Sequence, residues 1–231
     1  MVSNSTPGSP GLLTKGFLLY SHGMKKILIA LFTVAALALS GPGEARNTPQ
    51  PVLDGDIIFQ PSLSRQSLAI RLATGSPYTH CGIIFYQEDG PYVLEAVNPV
   101  SWKPLADWIA RGIGGQYVVL RLKDRERLLT PDALAAVRRA ATAFEGKGYD
   151  LLFQWSDEAI YCSELVWKAY ERGAGVALVP LRRLRDYDLD HEEVQRIIKE
   201  RLGYDIPWEE QVIAPSDIMK SELLERVDGS D

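Results

Sequence analysis

The sequence predicts an α+β fold in which an antiparallel sheet packs against helices. Three observations carry that expectation. A short apolar strand, Ile57-Ile58-Phe59, leads directly into a helical stretch. Several strands with hairpin connections follow, and the last third of the chain is mostly helical in its spacing.

The elements are placed in chain order. Ser62 to Thr74 carries Leu63, Leu68, Ile70 and Leu72 and ends at Gly75, which suits a helix. Tyr78 to Tyr86 reads as a strand, and Tyr92 to Val97 as its hairpin partner across Asp89-Gly90. A short helix is expected within Trp102 to Arg111, and a strand over Gln116 to Leu122. Thr130-Pro131 is a good cap and first-turn pair for a helix running to about Phe144. Leu151 to Trp155 reads as extended. Ile160 to Arg172 reads as a helix ended by Gly173, with Leu165, Val166, Ala169 and Tyr170 on its apolar side. Two more helices are expected, His191 to Leu202 and Pro215 to Leu224.

The first stretch has a different character. Met24-Lys25-Lys26 is a basic start, and Ile27 to Leu39 is an apolar run too short to span a bilayer comfortably. Gly43-Glu44-Ala45 fits a cleavage site before Arg46. Residues 24–45 therefore read as a signal peptide, residues 1–23 as an upstream translation artefact, and residues 46–53 as a linker before a domain over 54–231. Export to a periplasmic or secreted location is the expectation, with membrane contact only through an uncleaved signal segment.

The full chain has 231 residues and a net charge of −5, against a basic nucleic-acid surface. Metal chemistry has no positive signal: CxxC, HExxH and HxH are absent, as are GxSxG, the P-loop and GxGxxG. No cofactor is expected.

Beyond residue 45 there are two histidines and two cysteines. Cys162, in IYCSELVWKAYERG, lies just inside a predicted helix start, where partial positive charge and free N–H groups favour a thiolate. His80, in SPYTHCGIIFYQ, begins a strand, while His191 sits in a charged, solvated helix. His80 is thus the candidate base. Glu95 lies among apolar neighbours in YVLEAV and asks for a partner. Strand alternation puts Cys81 on the face opposite His80, so a Cys162–His80 dyad and a Cys81–Cys162 disulfide are competing geometries. A two-residue turn at Asp89-Gly90 sets Glu95 opposite Ile84, about 13 Å along the strand from His80. That register favours Asn98 as the residue orienting His80; a shifted turn or a bulge favours Glu95.

The strings GDIIF, SPYTHCGII, YVLEAV, YDLLF and YCSELV, in this order, resemble the circularly permuted papain-like amidases of the NlpC superfamily, particularly the YiiX-like group. The resemblance covers about residues 52–222. It implies a papain-like fold, with an antiparallel sheet or small barrel against the Cys helix. It implies Cys162 as nucleophile, His80 as base and Glu95 as orienting residue. Tyr149 matches a tyrosine upstream of the nucleophile in such proteins; with Tyr161 and Asn98 it is a candidate supporting residue. The function implied is a cysteine amidase or peptidase that forms a thioester. Its leading substrates are cell-wall-type peptides. A lipid or acyl-ester hydrolase or acyltransferase is a second reading. A non-catalytic binding module closed by a Cys81–Cys162 disulfide is a third.

Overall fold

A computed structural model describes residues 50–203 and 206–230. The expected upstream segment, signal peptide and start of the linker lie outside the described residues. Ten strands are named in chain order: β1 (Ile57–Gln60), β2 (His80–Gln87), β3 (Gly90–Glu95), β4 (Ser101–Pro104), β5 (Val118–Leu122), β6 (Gly148–Tyr149), β7 (Ala159–Ile160), β8 (Arg182–Arg183), β9 (Gln211–Val212) and β10 (Leu224–Gly229). Among the described residues seven α-helices join them: α1 (Arg65–Thr74), α2 (Leu105–Arg111), α3 (Arg125–Leu128), α4 (Pro131–Thr142), α5 (Cys162–Ala174), α6 (Glu192–Leu202) and α7 (Pro215–Met219).

The main sheet has six strands in the order β10-β5-β1-β2-β3-β4, all antiparallel. It is open rather than a closed barrel, which settles between the two forms the sequence allows. One face, with Phe59, Cys81, Ile83, Phe85 and Leu94, meets α4 and α5 in the main core. The other face, with Ile58, Ile84, Val93 and Val119, is covered by Trp108 of α2. Burial of both faces explains why β1 is a continuous apolar run rather than an alternating one.

The helix ends follow their capping residues. Ser64 accepts from Ser67 N–H, and Gly75 closes α1 in the left-handed region at φ 66. Thr130 Oγ1 accepts from Ala133 N–H, as the Thr-Pro pair predicts. Gly173 does not end α5; Gly175 does, at φ 66. A Cβ on Gly173 would lie 2.3 Å from the Val137 backbone, so this glycine lets α4 and α5 approach closely.

The short helix expected within Trp102 to Arg111 is present over Leu105–Arg111, with Trp102 itself in β4. Two further expectations need correction. Leu151 to Trp155 forms no strand, and Phe153 takes a φ of 56. The last helix stops at Met219, and residues 224–229 form an edge strand. The described part of the expected linker, residues 50–53, is tied to the domain: Gln50 N–H donates to Val227 O, and Arg121 reaches Gln50 and Pro51. Arg121 also forks onto buried Asp56 at 2.8 and 2.7 Å, a bidentate pair that fixes the start of β1. Among the described residues no helix is long and apolar enough to cross a membrane.

Candidate active site

The site forms where β2 begins. The β2–β3 turn is Glu88-Asp89, with Gln87 paired to Gly90, and not Asp89-Gly90 as expected. Glu88 and Asp89 avoid positive φ, and Gly90 at φ 134 absorbs the twist just after the turn. The pairing therefore slides by two residues, and continuing it sets Glu95 beside Gly82. A Cβ at Gly82 would fall 2.5 Å from Val93 Cγ1 and 3.4 Å from Glu95 Cβ. With that space free of side chain, Glu95 spans the diagonal to His80, and its Oε2 lies 2.5 Å from His80 Nε2.

Asn98 is exposed in the loop between β3 and β4, so the nearer-neighbour expectation for it does not hold. Glu95 is fully buried, and its Oε2 also accepts from Trp108 Nε1 at 2.8 Å and Arg111 Nη2 at 2.5 Å. Trp108 stacks on the His80 ring at 5.8 Å between centroids. Trp108 and Arg111 are three apart on α2 and so share the side facing Glu95. The sequence reading missed both. The available signal was the requirement itself, since a buried carboxylate needs donors and LADWIAR carries two of them at helical spacing.

With Nε2 on Glu95, Nδ1 is the ring nitrogen left for Cys162, and the His80 and Cys162 side chains are hydrogen-bonded. Cys162 is the first residue of α5, capped by Tyr161. Burial alone would lower the His80 pKa, but the hydrogen bonds to Cys162 and Glu95 outweigh it and push His80 up to about 9. Burial would raise Glu95, yet the bonds from His80 and Arg111 hold it down at about 2. Cys162 is lowered well below an ordinary thiol. A hydrogen bond from the Cys81 thiol is the largest cause; burial opposes it, and the hydrogen bond and charge of His80 reinforce it.

Cys81 was expected to point away from Cys162. Alternation does send Cys81 and His80 to opposite faces, but the Cys162 sulfur also takes the backbone N–H of Cys81. That N–H lies in the plane of the sheet, beyond the β2–β3 ladder, which begins at Ile83↔Leu94. From this in-plane position the sulfur is reached from both faces. Cys81 and Cys162 are both free thiols, so the two geometries that seemed exclusive share one neighbourhood.

The supporting tyrosines divide. The Tyr149 hydroxyl interacts with Cys162 and accepts from Gln66 Nε2 at 2.9 Å. Tyr161 faces elsewhere: its hydroxyl accepts from Ile213 N–H at 3.2 Å, and its ring packs edge-on to Phe153. With Ser163 Oγ donating to Ile213 O at 2.7 Å, it anchors the segment around residue 213 to the start of α5. Arg183 and Arg185, two of the surface arginines, pair with Glu209.

Cys162 opens onto a solvent-connected cleft. Ala69, Ile70, Leu152, Phe153, Val194 and Ile197 give its walls their character, and Arg201 is the one charged side chain among its described lining residues.

Residues 52–228 match the family model described as permuted papain-like amidase enzyme, YaeF/YiiX, C92 family. The chain belongs to this family. It is 43% identical over 173 residues to the uncharacterized protein YiiX of Escherichia coli K12, covering 75% of this chain and 84% of that protein. It is also similar to the crystal structure of YiiX from Escherichia coli O157:H7. The TM-score there is 0.73 at 42% identity, covering 77% of this chain and 97% of the other. That structure is described as a metalloprotein. Among the described residues of this chain, no group of three or more His, Cys, Asp or Glu is arranged to hold a metal ion, so the fit is not met here.

Proposed function

We propose that the protein is an exported cysteine amidase in which Cys162 is the nucleophile, His80 the acid and base, and Glu95 the residue orienting His80. One observation carries this reading: Cys162 at the start of α5 is hydrogen-bonded to His80, whose other nitrogen rests on a buried, ionised Glu95. The Cys162 thiolate attacks the carbonyl carbon. The oxyanion is met by the Cys162 backbone N–H and the Tyr149 hydroxyl. His80 imidazolium passes its proton to the leaving nitrogen, and a thioester remains. Neutral His80 then takes a proton from water as it attacks the thioester, which frees the acid and restores the thiolate.

The cleft refines the substrate. An apolar wall running from the nucleophile suits an apolar acyl group better than a charged cell-wall peptide. The substrate we favour is therefore an amide or ester of a medium or long acyl chain. The reading of export rests on the basic start, apolar run and small-residue site over residues 24–45.

The test is turnover of chromogenic acyl anilides and esters of rising chain length, beside a cell-wall-type dipeptide amide. Each methylene buried in the cleft should raise kcat/KM by about fourfold until the cleft is full. Cys162→Ala should abolish turnover. Ala73 also lines the cleft, and Ala73→Phe should flatten the chain-length dependence and spare the acetyl substrate. Equal rates for acetyl and long-chain substrates, with faster cleavage of the dipeptide, would return the cell-wall reading to first place.

A further inference from the structure

The hydrolysis needs one thiol, yet two meet in the site. Cys162 lines the open cleft, whereas Cys81 is fully buried behind it in the main core. Both residues belong to one buried core cluster, where their side chains interact, and both are free. In the hydrolytic cycle Cys81 supports the Cys162 thiolate without forming or breaking a bond, so its own sulfur chemistry is unused there. We propose that Cys81 is a resolving thiol, which traps Cys162 oxidised by a hydroperoxide as a reversible Cys81–Cys162 disulfide and so switches the site off.

The chemistry balances. The Cys162 thiolate attacks the distal oxygen of the hydroperoxide. A sulfur–oxygen bond forms, the oxygen–oxygen bond breaks, and the departing alkoxide takes a proton from His80 imidazolium. Cys162 is now a sulfenic acid and the peroxide is reduced to an alcohol or water. Cys81 sulfur then attacks the Cys162 sulfur, and its proton leaves with the displaced hydroxide as water. A dithiol reductant reverses the disulfide by exchange.

Position supports the division of labour. An oxidant entering the cleft meets Cys162 first, and Cys162 is the thiolate. Cys81 has no route to solvent of its own, and burial together with the neighbouring Cys162 keeps it a thiol. It is thus shielded from direct oxidation and available as the second partner. Disulfide formation occupies the sulfur that His80 would activate, so the same event that protects the nucleophile stops turnover.

The experiment exposes the full chain to hydrogen peroxide, then unfolds it in urea, alkylates it with iodoacetamide and maps peptides without reduction. The expected result is a linked peptide pair holding Cys81 and Cys162, with Cys162 labelling lost and then recovered in dithiothreitol. In Cys81→Ala, Cys162 should advance to sulfinic and sulfonic acids, and dithiothreitol should no longer recover the labelling. Sulfinic Cys162 in the wild type beside a still alkylatable Cys81, with no linked pair, would overturn the proposal. The wild-type map decides even if the variant fails to fold. Because masses are read rather than turnover, the result is independent of which substrate the enzyme takes.

Discussion

Two glutamates with fully buried side chains, Glu95 and Glu164, differ in charge behaviour. Glu95 is held down at about 2, whereas Glu164 is pushed up to about 7. Burial raises both, so burial is not the difference. Glu95 has three donors of its own in His80, Trp108 and Arg111. Glu164 sits 2.7 Å from Lys168 and takes a long bond, 3.4 Å, from Tyr161 N–H. Its lysine is divided, because Lys168 also donates to Asp157 at 2.8 Å and to Ser156 O at 2.6 Å. A buried carboxylate stays charged where its donors serve it alone. That condition holds beside His80 and fails two residues after Cys162.

The largest expected effect comes from removing the charge that this arrangement protects. Glu95→Gln should lower kcat by about a hundredfold or more. It should also move the basic limb of the rate–pH profile down from about 9, where His80 loses its proton. A full pH–rate profile checks both, and an unmoved basic limb would break the comparison.

Glu164 should show the opposite dependence in stability. Its folded pKa is raised from 4.5 to about 7, so its contribution is complete below about 4.5 and is lost as pH rises through 7. Glu164→Gln should therefore gain on the wild type between pH 5 and 8, by on the order of 3 kcal/mol at most. Glu95, with its pKa lowered, stabilises the fold above about 4.5 and loses that contribution as pH falls toward 2. Urea melts across pH for the two variants should slope in opposite senses.

Gly82→Ala tests the space that lets Glu95 reach His80. Its methyl would meet Val93 Cγ1 at 2.5 Å and Leu94 O at 2.8 Å, and a loss of about 1–3 kcal/mol is expected in denaturant melts. The smallest effect belongs to Arg111→Met. Arg111 is 42% exposed, and Glu95 keeps His80 and Trp108 without it. A fall in kcat of about tenfold, with a modest downward shift of the basic limb, is expected.

Much of this was legible in the sequence where one local rule acts alone. The Thr130-Pro131 and Gly75 helix ends, the strand at His80 and the place of Cys162 at a helix start all follow from single residues and spacings. The misses fall where two segments meet. Gly173 reads as a terminator until α4 is seen against it. The residues of β10 read as an extension of the last helix because their pairing partner is β5, about a hundred positions earlier. Asp89-Gly90 is a strong hairpin signal, but the turn forms one residue sooner, and that shift decides whether Glu95 or Asn98 reaches His80. The papain-like fold and the Glu95 assignment were carried by the family resemblance, not by the register. Trp108, Arg111 and the approach of Cys81 to Cys162 depend on tertiary contact that no spacing encodes.

The most direct measurement is the pH dependence of iodoacetamide labelling at Cys162, read by mass spectrometry, in the wild type and in His80→Ala. The account predicts rapid labelling of Cys162 near pH 6 that slows in His80→Ala, with Cys81 inert throughout. Labelling that rises only near an ordinary thiol pKa of about 8.5, and is indifferent to His80, would contradict it.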